Sequence, residues 1–316
     1  MCVLRILGAG LLLMAASPAS AEEAAADAAA IKDQGLTGSL LAPSPATFAK
    51  GVFAVEPYFL YRRGAGSFGP DGVRHASPAG GDQFRSYSSL QYGITDDLAL
   101  QLLPGFAQAL SGDHAIGVSD LPVRLKYRWF GRGEIGFWNP SLTTGLGVSV
   151  PIGRYQRLSS SADGFGAGAW MGNFQAQMQN FFTVWHHPNR ARIWVNVSAP
   201  LGSVAVHGIS SYGTAAGFSG TALPATSVQV GIADEFALDR HWVLALDIAQ
   251  EVSRAAHVRG AGAPVPHSGS RFVVAPALEY NFTNWIGVIA GVEYAPAGHN
   301  ASAAITPQVA VNMFFY

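Results

Sequence analysis

The chain has 316 residues and a formal net charge of −1, and charged residues make up only 12% of it, about half of the roughly 25% typical of soluble domains. This near-neutral balance gives no electrostatic basis for nucleic acid as a partner. After residue 21 no apolar run reaches the length of a membrane helix, although the chain contains 37 glycines and 49% hydrophobic residues. This composition favours a β-barrel, in which alternation dilutes the apolar residues.

The first 21 residues predict a secretory signal peptide. A short basic start is followed by the apolar run ILGAGLLLMAA and by the small residues Ala19, Ser20 and Ala21, a pattern typical of a cleavage site. The apolar run is too short for a stable membrane anchor. The only cysteine, Cys2, leaves with this peptide, so we expect an exported chain without disulfides or cysteine-ligated metal.

Residues 22–49 are predicted to be a periplasmic N-terminal lead-in to the barrel. The stretch EEAAADAAAIKDQ is alanine-rich and could form a short helix, and GLTGSLLAPSPATFAKG is irregular, with two prolines close together. We expect the lead-in to lie in the periplasm or at the barrel mouth. A disordered leader and a plug both remain open.

From residue 50 to residue 316 apolar and polar residues alternate, which predicts an antiparallel transmembrane β-barrel. Each alternating segment has about the ten residues that a membrane-spanning strand requires. Twelve such segments, an even number, follow one another in chain order. They are GVFAVEPYFLYRR, FRSYSSLQYGI, LALQLLPGFAQAL, LPVRLKYRWF, SLTTGLGVSV, WMGNFQAQMQNFF, RIWVNVSAPL, SVQVGIADEFAL, WVLALDIAQEV, RFVVAPALEYNF, WIGVIAGVEY and ITPQVAVNMFFY.

The predicted connectors alternate in length, as in bacterial barrels with short periplasmic turns and longer extracellular loops. Both termini then lie on the periplasmic side. Three of the short turns, in YGITDDLAL, EFALDRHWVL and YNFTNWIGV, repeat an aromatic residue followed by Asp, Asn or Thr, residues that close tight turns. The predicted short turns are 95–97, 131–134, 186–191, 239–241 and 283–284, and the predicted long loops are 63–82, 111–117, 153–167, 202–222, 255–269 and 297–303.

The segment LPVRLKYRWF, residues 121–130, shows why the sheet must be closed and wet inside. Its odd positions are all apolar, whereas Arg124, Lys126 and Arg128 share the opposite face. Turning these cations toward lipid would cost roughly 2–4 kcal/mol each near the bilayer midplane, so a shift of register by one residue is excluded. The odd positions are therefore predicted to face outer-membrane lipid, and the cations are predicted to face the lumen.

The inward positions of the other segments carry charges of both signs, amides and a tryptophan. They could form a charged constriction that selects solutes, a set of salt bridges that braces the wall, or a hydrogen-bonding and aromatic surface for a passing ring. The predicted lumen-lining residues are Glu56, Arg62, Arg85, Arg124, Lys126, Arg128, Gln175, Gln177, Gln179, Arg192, Trp194, Asp247, Glu251, Arg271, Glu279 and Glu293.

Aromatic residues and the last strand give two further signals of a membrane barrel. The tryptophans at 129, 185, 242 and 285 lie near the short turns, which predicts an interfacial girdle. The final segment ends in an alternating apolar set up to Phe315, with Tyr316 as one extra residue. We expect this strand to be recognised by the barrel-assembly machinery.

Four stretches, KGVFAVEPYFLY, YGITDDLALQLLPGF, GVSDLPVRLKYRWF and VSVPIG, resemble the outer-membrane family labelled "MetA-pathway of phenol degradation". The resemblance covers most of the mature chain and implies a transporter-like β-barrel in a Gram-negative outer membrane. It also implies uptake of hydrophobic or aromatic compounds. It brings no set of functional residues to this sequence.

Three functions remain, and none of them requires a cofactor or a metal. A channel or transporter for small solutes is the first, and a structural or adhesive barrel with a salt-bridged, closed lumen is the second. A lipid-acting hydrolase is the third, and we expect no catalytic residues, because the histidines at 114, 207, 257, 267 and 299 lie in predicted external loops without an evident serine and orienting group. The paired histidines 186 and 187 lack a third metal ligand nearby.

Overall fold

The computed structural model of the chain describes residues 31, 34–36, 38–76, 81–110, 114–131, 139–283 and 285–315. The predicted signal peptide, most of the predicted alanine-rich helix and Tyr316 lie outside these ranges. Within them, no helix is long and apolar enough to cross a membrane. Regular structure is almost entirely β, with one short 3-10 helix at Ser161–Asp163.

The strands are short at the loops and long in the wall of the molecule. In chain order they are β1 (Phe53–Phe68), β2 (Arg74–His75), β3 (Gln83–Gly93), β4 (Leu98–Leu102), β5 (Gly105–Ala109), β6 (Ile116–Val118), β7 (Leu121–Phe130), β8 (Ser141–Val150), β9 (Met171–Val184), β10 (His187–Pro200), β11 (Val204–His207), β12 (Ser219–Leu223), β13 (Ser227–Ala237), β14 (Trp242–Ser253), β15 (His257–Gly260), β16 (Gly269–Thr283), β17 (Ile286–His299) and β18 (Ala301–Phe315).

Among the described residues, fifteen of these strands form one sheet that closes into an antiparallel barrel of twelve spans. β4 and β5 make up the third span, and β6 and β7 make up the fourth. β1 pairs with β3 on one side and with β18 on the other, so the wall has no free edge. All twelve alternating segments of the sequence lie in these spans, and the predicted barrel is confirmed.

The third and fourth spans are interrupted at neighbouring points of the wall. Pro104 has no backbone N–H to give to the ladder, and it lies between β4 and β5. Asp120 lies between β6 and β7, and its carboxylate accepts the backbone N–H groups of Gly153 and Ala167 at 2.9 and 2.7 Å. The break in the fourth span therefore holds the following external loop against the barrel rim.

One end of the barrel, the short-turn end, carries tight connections that share a hydrogen-bond pattern. Thr95, Asp239 and Thr283 each accept backbone N–H groups from the residues two and three positions later, at 2.7 to 3.3 Å. These bonds hold the pKa of Asp239 below its ordinary value. The repeat seen in the sequence is thus a repeated side-chain cap.

The opposite end of the barrel is the long-loop end, and predicted connectors at both ends differ from the structure. β1 runs to Phe68, so the predicted loop 63–82 begins within a strand. Residues 297–303 were expected to form a loop, but β17 runs to His299, β18 starts at Ala301 and Asn300 alone joins them. At the short-turn end the expected turn 186–191 is also too long, because β10 begins at His187. Instead, Pro188 pairs with Thr183 and Ala191 with Asn180 in β9. The chain is already reversed by a two-residue turn at Trp185 and His186, both with positive φ.

Two long loops pair with each other outside the barrel instead of remaining irregular. β11, β12 and β15 form a separate three-stranded sheet, which falls within the predicted loops 202–222 and 255–269. Val206, Phe218 and Ala222 are buried beneath it. This local core explains why these glycine-rich and serine-rich stretches adopt a defined structure.

The outer surface is apolar along the spans, as alternation requires. In β7, Leu125, Tyr127 and Trp129 are 44–62% exposed, whereas Lys126 between them is fully buried. The girdle tryptophans at 185, 242 and 285 are also exposed and adjoin short turns. In the last strand Phe315 is exposed and pairs with Phe53, so its apolar set lies on the outer face in regular register.

Leu146, which lies within β8 and is 70% exposed, gives a test of this orientation. We expect Leu146→Arg to lower the free energy of unfolding by about 2–4 kcal/mol, because the guanidinium would face hydrocarbon. Leu201→Arg is the matched control, since Leu201 is exposed outside the spans and should change stability by less than about 0.5 kcal/mol. Urea unfolding in lipid vesicles measures both, and equal effects would contradict the orientation.

Candidate functional site

Residues 38–50, which we name the re-entrant segment, enter the barrel from the short-turn end and return to it. On the way in, Arg190 Nη2 donates to the carbonyl oxygen of Leu36 at 3.3 Å. On the way out, the backbone N–H of Lys50 donates to Asp96 Oδ1 in the turn after β3, at 3.1 Å. The predicted lead-in 22–49 therefore has its described residues inside the wall, although the boundaries of the signal peptide, lead-in and barrel stay predictions.

Asp247, at the middle of β14, fixes one side of the re-entrant segment. Its Oδ2 accepts the backbone N–H of Leu40 at 3.0 Å, and its Oδ1 accepts that of Ala42 at 3.1 Å. The carboxylate is fully buried. Bonds to a charged acceptor are stronger than those between neutral groups, so this aspartate is a main anchor of the segment.

Lys126, on the opposite wall, fixes the other side. Its ammonium donates to the carbonyl oxygens of Ser44 and Ala46 at 2.6 and 2.9 Å, and to Gln91 Oε1 at 2.7 Å. Gln177 Nε2 donates to the same Ser44 oxygen at 2.9 Å. These acceptors use all three donors of the ammonium, which explains how a lysine can be fully buried here.

Apolar packing completes the seat of the segment. Leu40 is buried against Tyr58 and against inward alanines and Ile289 of β14 to β18. Ala42 is buried against Trp194 and Val273. Small side chains at inward positions leave the space that the segment occupies, because the interior of a twelve-stranded barrel is wider than its own side chains fill.

Below the segment lies a compact charge cluster. Glu235 is fully buried, and it forms a bidentate ion pair with Arg190 and a 2.9 Å bond with Arg192. Arg192 also donates to Ser39 Oγ at 3.4 Å. Two arginines on one carboxylate brace the wall here, which matches the salt-bridge reading of the inward charges.

Above the segment, toward the long-loop end, lies a cavity of about 630 Å³. Residues 40–44 form its floor. Tyr58 and Tyr87 border it with their rings stacked, 4.6 Å between centroids and 11° between planes. Most of the remaining lining is hydroxyl and amide side chains, together with Glu56, Arg124 and the ion pair of Glu251 with Arg271.

The predicted lumen-lining residues all occupy inward positions of their strands, although they do not form one group. Arg62, Arg85, Glu251, Arg271 and Glu293 lie near the long-loop end, where Arg271 bonds Glu251 and lies 3.3 Å from Glu293. Arg62 and Arg85 bond the Gly81 carbonyl and Gln83. At mid-barrel or below are Glu56, Lys126, Gln175, Gln177, Gln179, Arg192, Trp194, Asp247 and Glu279, with Arg124 at the cavity and Arg128 at the short-turn end.

Arg128 shows that an inward position need not reach the lumen. Its guanidinium bonds Asp97 at 2.8 Å and the Asp96 carbonyl oxygen at 2.6 Å, both in the short turn after β3. Nε and Nη2 of Arg128 both donate to Asp97 Oδ1, and these bonds close the turn against β7. This cation therefore lies at the rim, close to the point where the re-entrant segment leaves the barrel.

The sequence reasoning missed two charged members of the lumen. Glu235 lies four residues beyond Gly231 on the same face of β13, so continuing the alternation would have found it. Arg190 was placed in the predicted turn 186–191, which the structure shows to be strand. Tyr58 was placed inward by the alternation, but its stacking on Tyr87 depends on strand register and has no signal in the sequence.

One histidine lies in a strand beside a serine, but without a third orienting group on its ring among the described residues. His207 in β11 faces Ser219 in β12, and Ser219 Oγ lies 3.1 Å from His207 Nδ1. The backbone N–H of His207 donates to Gln156 Oε1, and among the described residues no carboxylate bonds its ring. The pair lies in the external sheet, away from the spans.

The chain is similar in fold to a solved outer-membrane protein. It covers 100% of the COG4313 outer membrane channel from Pseudomonas putida F1 with 87% of its own length, at 15% identity and a TM-score of 0.66. The transport unit of the autotransporter AIDA-I from Escherichia coli aligns with a TM-score of 0.49 and 10% identity, over 93% of this chain and 99% of that one. The Ralstonia pickettii toluene transporter TbuX aligns with a TM-score of 0.43 and 10% identity, over 90% of this chain and 96% of TbuX.

At TM-scores below 0.5 the last two likenesses do not establish a shared fold. No family model matches the chain, and no curated protein matches its sequence. The closed barrel, its apolar outer face and the likeness to the Pseudomonas channel define an outer-membrane β-barrel protein. Its location is the bacterial outer membrane, in contact with lipid.

The anchoring of the re-entrant segment can be measured by thiol labelling. A Ser44→Cys reporter is suitable because the native chain has no cysteine after Cys2. We expect Asp247→Ala to raise the maleimide labelling rate of this reporter about tenfold or more, because two bonds to a charged acceptor are worth about 1.5–3 kcal/mol each.

Asp120→Ala is the matched control for this measurement. Asp120 also accepts two backbone N–H groups, but from the external loop. Its loss should leave the labelling of residue 44 unchanged. Equal labelling in the two variants would show that Asp247 does not hold the segment.

Proposed function

We propose that the protein is an outer-membrane channel for small solutes whose lumen is closed at rest by the re-entrant segment. The observation that carries this proposal is the cavity of about 630 Å³, which ends on residues 40–44. A solute that enters the cavity from the long-loop end meets a floor made of one chain segment, whereas the surrounding wall is a continuous hydrogen-bonded sheet.

The segment is suited to act as a gate because it is held by side chains and not by a ladder of backbone hydrogen bonds. It is held by side chains such as Asp247 and Lys126 and is not a strand of the barrel. Regions held in this way open at lower free energy than the cooperative core. Displacing it would join the cavity to the short-turn end without breaking the barrel.

Solutes with an aromatic or other planar apolar group are the class that we propose for transport. The resemblance to the phenol-degradation family supports this class, and the stacked rings of Tyr58 and Tyr87 at the cavity support it as well. Passage through the channel involves no covalent chemistry, so the protein is proposed to be a transporter and not a hydrolase.

The second candidate is a structural barrel with a permanently closed lumen. The pairing of Glu235 with two arginines and of Arg271 with two glutamates favours it, because such pairs brace a wall without a pathway. Both candidates share the fold and the location, and they differ in whether the segment can leave its seat.

Planar-bilayer conductance distinguishes the two. We expect the intact protein to show small or infrequent openings, and a variant lacking residues 22–47 to show a steady conductance several-fold larger, because the floor of the cavity is removed. Asp247→Ala should lie between them and Asp120→Ala should match the intact protein. A deletion variant that is folded by heat-modifiable mobility but passes no ions would favour the structural barrel.

A further inference from the structure

Arg124 lies at the cavity wall without a partner in the described part of the chain. Its Nε is shut off from solvent and bonds no acceptor, and its side chain borders the cavity. Desolvated cations are costly unless an anion or several acceptors compensate them. Arg124 is half-buried, and its guanidinium borders the open cavity with one N–H group that has no acceptor among the described residues.

The charged groups near Arg124 do not supply an acceptor for it. Lys126 lies two residues further on the same face of β7, and its ammonium donates to neutral oxygens. Glu56, a carboxylate that also lines the cavity, lies close to a different arginine. A Cβ built at Gly38 would lie 3.6 Å from Glu56 Oε1 and 3.9 Å from Arg192 Nη2, so this carboxylate and Arg192 approach one another beneath the re-entrant segment.

The strand beside Arg124 is shaped to hold its side chain. Gly147 of β8 is the register partner of Arg124, and a Cβ there would lie 2.9 Å from Arg124 Cγ. At Gly145 a Cβ would lie 2.8 Å from Gln175 Nε2, a second buried donor without an acceptor. The two glycines thus let two donor side chains lie across neighbouring positions of one strand, about 7 Å apart.

We propose that Arg124 binds the carboxylate of a small organic acid in this cavity, with Gln175 beside it. The inference rests on the proposed channel function and specifies the substrate class of that site. A guanidinium offers two parallel N–H groups that match a carboxylate, and a single free cation suits a singly charged anion. The rings of Tyr58 and Tyr87, which border the same cavity, provide a flat apolar surface for an aromatic body.

Calorimetric titration of the detergent-solubilised full chain tests the site, with benzoate as the probe and benzamide as its neutral isostere. We expect benzoate to bind at least tenfold more tightly than benzamide. Arg124→Gln should abolish this preference and leave the affinity for benzamide unchanged. Arg124→Lys should keep part of the preference, because the positive charge remains although the two parallel N–H groups of the guanidinium are lost. Heat-modifiable mobility shows whether each variant has folded.

Arg85→Gln is the matched control. Arg85 also faces the lumen, but it bonds Gln83 and is not among the residues that line the cavity. Its loss should leave the benzoate preference intact. Equal affinity for benzoate and benzamide in the intact protein, or a preference that survives Arg124→Gln in a folded variant, would overturn the proposal.

The two proposals fail in different ways. Binding that depends on Arg124 without any conductance, even after removal of residues 22–47, would refute the channel and keep the acid site. Conductance of the deletion variant without a preference for benzoate would keep the channel and refute the acid site. In the second case the unpaired arginine would have to be assigned to the stability of the wall.

Discussion

The structure depends on one constraint, which is that hydrocarbon offers no hydrogen bonds to the backbone. Every N–H and C=O of a spanning segment must then find a partner in the protein, and a sheet meets this condition only by closing on itself. Closure through the pairing of β1 with β18 divides the side chains into an outer and an inner set. Lipid fixes the chemistry of the outer set, while the inner set is free to serve other roles.

The barrel uses that freedom to hold a segment of its own chain. Twelve spans enclose more space than their inward side chains fill, and inward alanines and glycines enlarge it further. The re-entrant segment fills the lower part, where its backbone amides would otherwise lack partners, and Asp247 and Lys126 supply them. The upper part stays open as the cavity. The position of the segment thus divides one lumen into a sealed half and an accessible half.

The sequence predicts the barrel well because alternation is a local signal with a single physical cause. The spans, the facing of Lys126 and the tight turns at Thr95 and Thr283 could all be read from neighbouring residues. Contacts between distant parts could not. That Ser44 meets Lys126 depends on where an irregular segment folds back, and no periodicity records it. The error at 186–191 has a similar origin, because Pro188 and Asn189 suggest a turn whereas pairing with β9 keeps them in a strand.

Arg124 and Lys126 show how one pattern can produce two different sites. Both are forced inward by the same alternation, and both sit two residues apart on β7. The ammonium of Lys126 is compact and can be surrounded by carbonyl oxygens of the re-entrant segment. The side chain of Arg124 extends over Gly147 to the cavity, and its Nε bonds no acceptor among the described residues. The first cation therefore holds the re-entrant segment, and the second lies at the cavity, where we propose that a carboxylate solute binds it.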